Sequence, residues 1–229
     1  MEAVLFDFHG TLAMTIDPVA WVTAAAADCG VPLDHGRATA LADRIATAGG
    51  LPGVAKPARI PPQLAEFWAD RDLDKHAHRA AFIGLAALVP SDVPGLAEAI
   101  YERCETVQCW QPYADALPAM TALYAAGVKI AIVSNIGFDI RPLLDAWGMS
   151  ALCDAVVLSY EVGCIKPDPK IFWRACSTLG VSPERALMVG DTPADAGAVT
   201  AGCSALIVAS AQVGGHNGLM RAYALAQQG

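Results

Sequence analysis

The amino-acid sequence predicts a doubly wound α/β fold built on a parallel sheet, interrupted after its first strand by a smaller, all-helical domain. Three observations carry this expectation. Five apolar runs, "AVLFDF" (3 to 8), "VKIAIVS" (128 to 134), "DAVVLS" (154 to 159), "ALMVGD" (186 to 191) and "SALIVAS" (204 to 210), are too continuous for strands with one wet face and suit strands covered on both. The last four follow one another at the spacing of strand–helix units, with "RPLLDAWGM" and "PKIFWRACSTLG" as helices between them and Gly180 placed as a C-cap. Between the first run and the second lie roughly a hundred residues, far more than a single crossover helix needs.

That inserted stretch, residues 15 to 110, is Ala-rich and helical in pattern: "PVAWVTAAAADCG", "ATALADRIATAGG", "PQLAEFWADRD", "KHAHRAAFIGLAALV" and "GLAEAIYERCETVQCW". The Pro/Gly-rich piece "GGLPGVAKPARIPP" (49 to 62) breaks the helices and marks the long loop. The expected division is a core of residues 1–14 and 111–229 and a helical cap domain of residues 15–110.

Composition bounds the function. A chain of 229 residues, 55% hydrophobic, suffices for a buried core and fits one ordinary domain carrying an insertion. Fifteen basic against twenty-three acidic residues give a formal charge of −8 with no Lys/Arg stripe, which argues against nucleic-acid or anionic-membrane partners. Seven scattered cysteines without a CxxC pair read as reduced thiols rather than a disulfide framework or zinc knuckle. The start "MEAVLFDF" has no basic leader region, and no run reaches the ~18 apolar residues of a membrane span, so a cytoplasmic monomer or homodimer is expected.

Polar residues collect at the carboxyl ends of the expected strands, where open α/β sheets bind ligands: Asp7, Ser134 with Asn135, and Asp191, with Lys166 in the connection after the third run. Thr192, Pro193 and Asp195 form a good helix start as N-cap, N1 and N3, so Asp195 is expected to cap while still able to orient Lys166 or a metal-bound water.

The motifs "DFHGTL", "VSN", "KPDP" and "GDTPAD", extended by "IVSNIGFDIRPLL" and "VVLSYEVGCIKPDPKIF", together resemble the haloacid dehalogenase (HAD) superfamily of phosphohydrolases over essentially the whole chain. The resemblance implies a Rossmann-like core with the helical insertion as the family's cap. It implies Asp7 as the nucleophile that takes a phosphoryl group from a small phosphorylated metabolite as an aspartyl-phosphate. Asp7 and Asp191, with the backbone carbonyl of His9, would hold Mg²⁺, and Lys166 would neutralise Asp7 and the phosphate. Ser134, with Asn135 and the N–H groups beside it, would bind phosphoryl oxygens at the start of the following helix.

His9 departs from the pattern, because the family's phosphatases usually carry Asp there to protonate the leaving oxygen and then activate water. Three readings stay open: a phosphatase using His9 as acid and base, a metal-independent 2-haloacid dehalogenase-like hydrolase, and a protein that binds phosphate without turnover. Retention of "GDTPAD" favours the first, since the dehalogenases lack that Gly-Asp pair. Two positions beyond Asp7, His9 should share its strand face and its pocket. Mg²⁺ and Lys166 would lower the imidazole pKa, whereas Asp7, Asp191 and phosphate would raise it. In the cap, Arg44, Lys56, Arg59, His76, His78 and Arg79 are the groups able to meet a phosphate ester, with Trp68 or Trp110 available to stack. His78 and Arg79, adjacent in an apolar amphipathic stretch, are the substrate-binding candidates. Residues 12 to 18 and 110 to 116 are the expected hinges.

Overall fold

The computed structural model describes residues 1–209 and 211–228. The chain divides into two compact units, Met1–Met14 with Gln111–Gly229, and Thr15–Trp110. In chain order the strands are β1 (Ala3–Phe6), β2 (Ala13–Thr15), β3 (Trp110–Pro112), β4 (Lys129–Ser134), β5 (Ala155–Leu158), β6 (Ala186–Gly190) and β7 (Ser204–Ile207). Five of them form one sheet in the order β5-β4-β1-β6-β7, and every pairing is parallel. β2 and β3, at the two chain crossings between the units, pair with each other.

The strands stop sooner than their apolar runs. β1 ends at Phe6, so Asp7 and His9 lie beyond it rather than on its face, although the Asp7 N–H still reaches the Val189 carbonyl at 2.9 Å. β7 ends at Ile207, and Ser210 of the expected run lies outside the described residues.

The Thr15–Trp110 unit holds α1 (Pro18–Asp28), α2 (His35–Ala48), α3 (Ala65–Asp70), α4 (Lys75–Ala87) and α5 (Leu96–Cys104). Aspartates start three of these helices: Asp17, Asp34 and Asp74 each accept hydrogen bonds from backbone N–H groups of the first turn. α2 ends on Gly49 at φ 78°, a left-handed conformation that glycine adopts at no steric cost, and the Pro/Gly-rich loop follows. Trp21 is fully buried and its indole N–H donates to the Ile100 carbonyl at 3.0 Å, tying α1 to α5.

The other unit adds α6 (Ala116–Ala125), α7 (Arg141–Ala146), α8 (Ser159–Val162), α9 (Pro169–Leu179), α10 (Pro193–Ala196) and α11 (Met220–Ala226). α9 begins on Asp168 with Pro169 at its first turn and ends on Gly180 at φ 65°. Its Ile171, Phe172, Ala175 and Leu179 cluster with Leu5, Val133 and Met188 of the sheet. Val4 and Phe6, fully buried, alternate to the opposite face, so the sheet is covered on both sides. All seven cysteines are free thiols, and among the described residues no helix is long and apolar enough to cross a membrane.

Candidate active site

Numbered within the sheet alone, the strand order is 3-2-1-4-5, so the chain leaves central β1 to one side and returns to β6 on the other. A crevice opens at such a reversal, outside the carboxyl ends of the strands. Asp7 follows β1, Ser134 ends β4 and Asp191 follows β6, which brings three distant parts of the sequence to one edge.

Lys166 fills the centre of this edge. It is 4% exposed, and its ammonium donates to Asp7 Oδ1 at 2.6 Å, Asp195 Oδ1 at 2.6 Å and the Val133 carbonyl at 2.9 Å. The three N–H bonds of the ammonium match three acceptors, so its position is determined in all directions. Asn135 holds the lysine's backbone: its Nδ2 donates to the Lys166 carbonyl at 2.9 Å, and its Oδ1 accepts from the Lys166 N–H at 2.7 Å. The Asn135 side chain therefore positions Lys166. Asp195 combines both roles expected of it. Its Oδ2 accepts from the Thr192 N–H at 3.0 Å and the Thr192 hydroxyl at 2.6 Å in a capping box, while its Oδ1 takes Lys166.

Asp7, Asp191 and Asp195 offer carboxylate oxygens within 4.8 Å of one another. Two of these three carboxylates, Asp7 and Asp195, share the Lys166 ammonium. Burial pushes the Asp7 carboxyl up from 3.8 to about 7; Lys166 pulls it back, and the charges of Asp195 and Asp191 add to the rise. Burial also opposes the charge on Lys166, but Asp7 and Asp195 more than offset it and hold the ammonium above its ordinary value. A hard divalent cation with oxygen ligands fits this surplus of negative charge. Asp195 has both oxygens engaged by Lys166 and Thr192, so Asp7 and Asp191 are the carboxylates suited to hold the ion.

His9 is placed by a turn and not by the strand face. The Phe8 carbonyl accepts from the N–H groups of Leu12 at 2.9 Å and Ala13 at 3.0 Å, and the Gly10 N–H returns to the Ala13 carbonyl at 2.8 Å. Gly10 sits at φ 85°, and a Cβ there would collide with the Asp191 carboxylate, so only glycine lets the turn lie against that residue. Burial lowers the His9 pKa below 6.5, with Asp191 pulling in the opposite direction. Desolvation, absent from a comparison of neighbouring charges, therefore decides the balance.

The helix expected just after Ser134 is farther away. Ser134 is 1% exposed at the end of β4, but α7 begins only at Arg141, and the Ile136 N–H donates to Ser159 Oγ at 2.9 Å. Ser134 and Asn135 are thus followed by a loop and not by a helix start. Thr11, absent from the sequence candidates, is fully buried, and its hydroxyl lies 3.5 Å from Asp191 Oδ1.

His78 and Arg79 belong to the helical unit. His78 is buried on α4, with Nδ1 2.7 Å from the Tyr101 hydroxyl and its ring against Phe82. Burial, and secondarily the charge of Arg71, lower its pKa to about 3, so it is a neutral interior group. Arg79 lies over the Tyr101 ring and pairs with Glu102 at 3.5 Å. Trp110 is 5% exposed and donates to the Cys104 carbonyl at 2.7 Å, which removes it as a stacking platform.

The family model described as haloacid dehalogenase-like hydrolase matches residues 1–201. The chain belongs to this family. Among curated relatives of this HAD-like hydrolase, the mouse haloacid dehalogenase-like hydrolase domain-containing protein 3 is 32% identical over 128 residues, covering 56% of this chain and 48% of the relative. Glyceraldehyde 3-phosphate phosphatase of Methanopyrus kandleri is 39% identical over 82 residues, 35% of each chain. The chain thus spans about half or less of the length of these relatives. A crystal structure of a HAD phosphatase from Thermococcus onnurineus superposes with TM-score 0.59 at 27% identity, covering 95% of this chain and 90% of the other. A dehalogenase crystal structure superposes with TM-score 0.66 at 23% identity over 98% and 96%, a likeness of fold.

Proposed function

We propose that this HAD-like hydrolase is a cytoplasmic, Mg²⁺-dependent phosphomonoester hydrolase that acts on a small phosphorylated metabolite through an aspartyl-phosphate on Asp7. The observation that carries the reading is the cluster of Asp7, Asp191 and Asp195, two of which, Asp7 and Asp195, share the ammonium of Lys166. Phosphatase relatives support it. An aspartate that displaces halide needs no cation beside it, so the same surplus of negative charge counts against dehalogenation.

Held by Asp7, Asp191 and the His9 carbonyl, Mg²⁺ would supply the positive charge that screens the phosphoryl oxygens. Lys166 fixes Asp7 through Oδ1, and the other carboxylate oxygen attacks phosphorus as the bond to the leaving oxygen breaks. Water then attacks the same phosphorus, releasing phosphate and regenerating the Asp7 carboxylate. The imidazolium form of His9 gives a proton to the leaving oxygen in the first step, and the neutral ring this leaves takes one from water in the second. A screen of phosphorylated metabolites scored by phosphate release tests the reading. Turnover that requires Mg²⁺ and stops in EDTA supports it; halide release from a 2-haloacid without metal contradicts it.

His9 should matter according to the leaving group. An alkoxide needs the proton and a phenolate needs it far less, so His9→Ala should lose about 10²-fold on an alkyl phosphate and much less on an aryl one. With the first step limiting, alkyl turnover falls as pH rises through the depressed His9 pKa, and aryl turnover falls less. His9→Asp should restore much of the alkyl rate. Equal losses on both esters, with unchanged pH profiles, would show that His9 moves no proton.

The raised Asp7 pKa gives a signature independent of turnover. Between 3.8 and about 7, folded Asp7 keeps a proton that the unfolded chain has lost, so metal-free stability falls as pH rises through this window. Mg²⁺ binds the ionised form, so its stabilisation should be small near pH 5 and larger near pH 8. Thermal melts with and without Mg²⁺ check this, and an equal shift at both pH values would count against the site.

A further inference from the structure

The turn carrying His9 is gripped from a part of the chain the mechanism does not use. Asn217, 5% exposed, donates through Nδ2 to the Gly10 carbonyl at 2.9 Å and to the Thr11 carbonyl at 3.0 Å. Both amide hydrogens are engaged, and the orientation is unambiguous, because a reversed amide would set Oδ1 against two carbonyls. Oδ1 instead accepts from the Ala211 N–H at 3.2 Å.

Asn217 is itself held in place. Asp115, 4% exposed and immediately ahead of α6, accepts from the Asn217 N–H and from the Leu219 N–H, each at 2.8 Å. The segment is tied further along its length: Ala114 N–H donates to the Gly215 carbonyl at 2.8 Å, and the Tyr113 hydroxyl to the Ala211 carbonyl at 3.1 Å. A buried carboxylate orders the strap, the strap aims one amide, and that amide fixes two successive peptide planes next to His9. Anchoring the strap alone would need no such convergence on this one turn. The Gly10 and Thr11 planes set where the His9 ring stands and keep the Thr11 hydroxyl beside Asp191.

We infer that Asn217, aligned by Asp115, is a positioning residue for the His9 turn, so that proton transfer by His9 depends on a side chain more than two hundred positions away. The inference rests on the acid/base reading of His9.

The test uses the full chain with Mg²⁺, an alkyl and an aryl phosphate, and Asn217→Ala alone and combined with His9→Ala. Misplacing the turn should lower kcat for the alkyl ester about tenfold more than for the aryl ester, with KM for each moving less than about threefold. That preference should vanish once His9 is already alanine, the non-additivity expected of residues acting as a unit. Asp115→Asn keeps size and removes one acceptor, so it should shift the same ratio in the same direction by less, and it serves if Asn217→Ala does not fold. In parallel, the His9 imidazole NMR signal, assigned by its loss in His9→Ala, should move or broaden in the strap variant while the His78 signal stays. Equal losses on both esters, an alkyl-selective loss that persists without His9, or an unmoved His9 signal would overturn the inference. If the wild-type protein hydrolyses neither ester, the phosphatase reading has failed, and the His9 signal alone then decides the positioning claim.

Discussion

Asp7→Asn is expected to lower phosphatase turnover by at least ~10³-fold while leaving the fold intact. The amide keeps the carboxylate's shape, and its oxygen can still accept from Lys166, so the lysine retains its three acceptors. What is lost is the anionic nucleophile and one of the two carboxylates suited to the cation. Stability should move the other way. Burial first, and then the charges of Asp195 and Asp191, push the Asp7 pKa to about 7 against the pull of Lys166, so removing its charge relieves desolvation and repulsion at neutral pH. A dead enzyme that melts no lower than wild type is the signature of a site whose charge crowding serves function. Steady-state kinetics and thermal melts check the two halves, and near-normal turnover would remove Asp7 from the mechanism.

Lys166→Met should damage both activity and stability. Methionine replaces the length of the lysine stem but leaves Asp7 and Asp195 facing each other, buried, with no counter-charge. Removing one partner from a buried ion pair costs about 3–5 kcal/mol, and loss of the group that orients the nucleophile should lower turnover by roughly 10³-fold. The sign of the pH dependence follows from the carboxylates. Without the ammonium the folded-state pKa of Asp7 rises further above the unfolded value, so the variant is most stable in acid and loses stability as pH climbs through neutrality, more steeply than wild type. Adding Asp195→Asn should recover much of the stability at neutral pH and none of the activity. A Lys166→Met protein that melts like wild type near pH 8 would contradict the ion-pair account.

The sequence exposed the sheet and the core of the site because both obey short-range rules. Continuous apolar runs mark two-sided strands, and Asp7, Ser134 and Asp191 stand where those runs end, so topology alone assembles them. Lys166 and Asp195 were legible through "KPDP" and the helix start at Thr192. Orientation was harder to read. Asn135 lies in the expected place but turns toward the Lys166 backbone, a choice set by a loop 31 residues on. His78 carried a readable signal in its helical phase: it shares the buried stripe of α4 with Ala81, Phe82 and Leu85, and its adjacency to Arg79 places it on no common face. His9 leaves the strand face because β1 ends at Phe6 and the Gly10 turn takes over. Asn217 gave no local signal, since its partners lie 207 and 206 positions away and nothing in "GGHNGLM" separates it from an ordinary loop asparagine.

The covalent intermediate is the centre of the account, and trapping it is the most direct measurement. The enzyme is quenched during turnover of an aryl phosphate with Mg²⁺, treated with borohydride, digested and read by peptide mass spectrometry. Borohydride reduces an acyl phosphate to the alcohol, so the account predicts homoserine at position 7, dependent on substrate and absent in Asp7→Asn. Asp7 recovered unmodified under active turnover, with phosphate carried by another residue or by none, would contradict it.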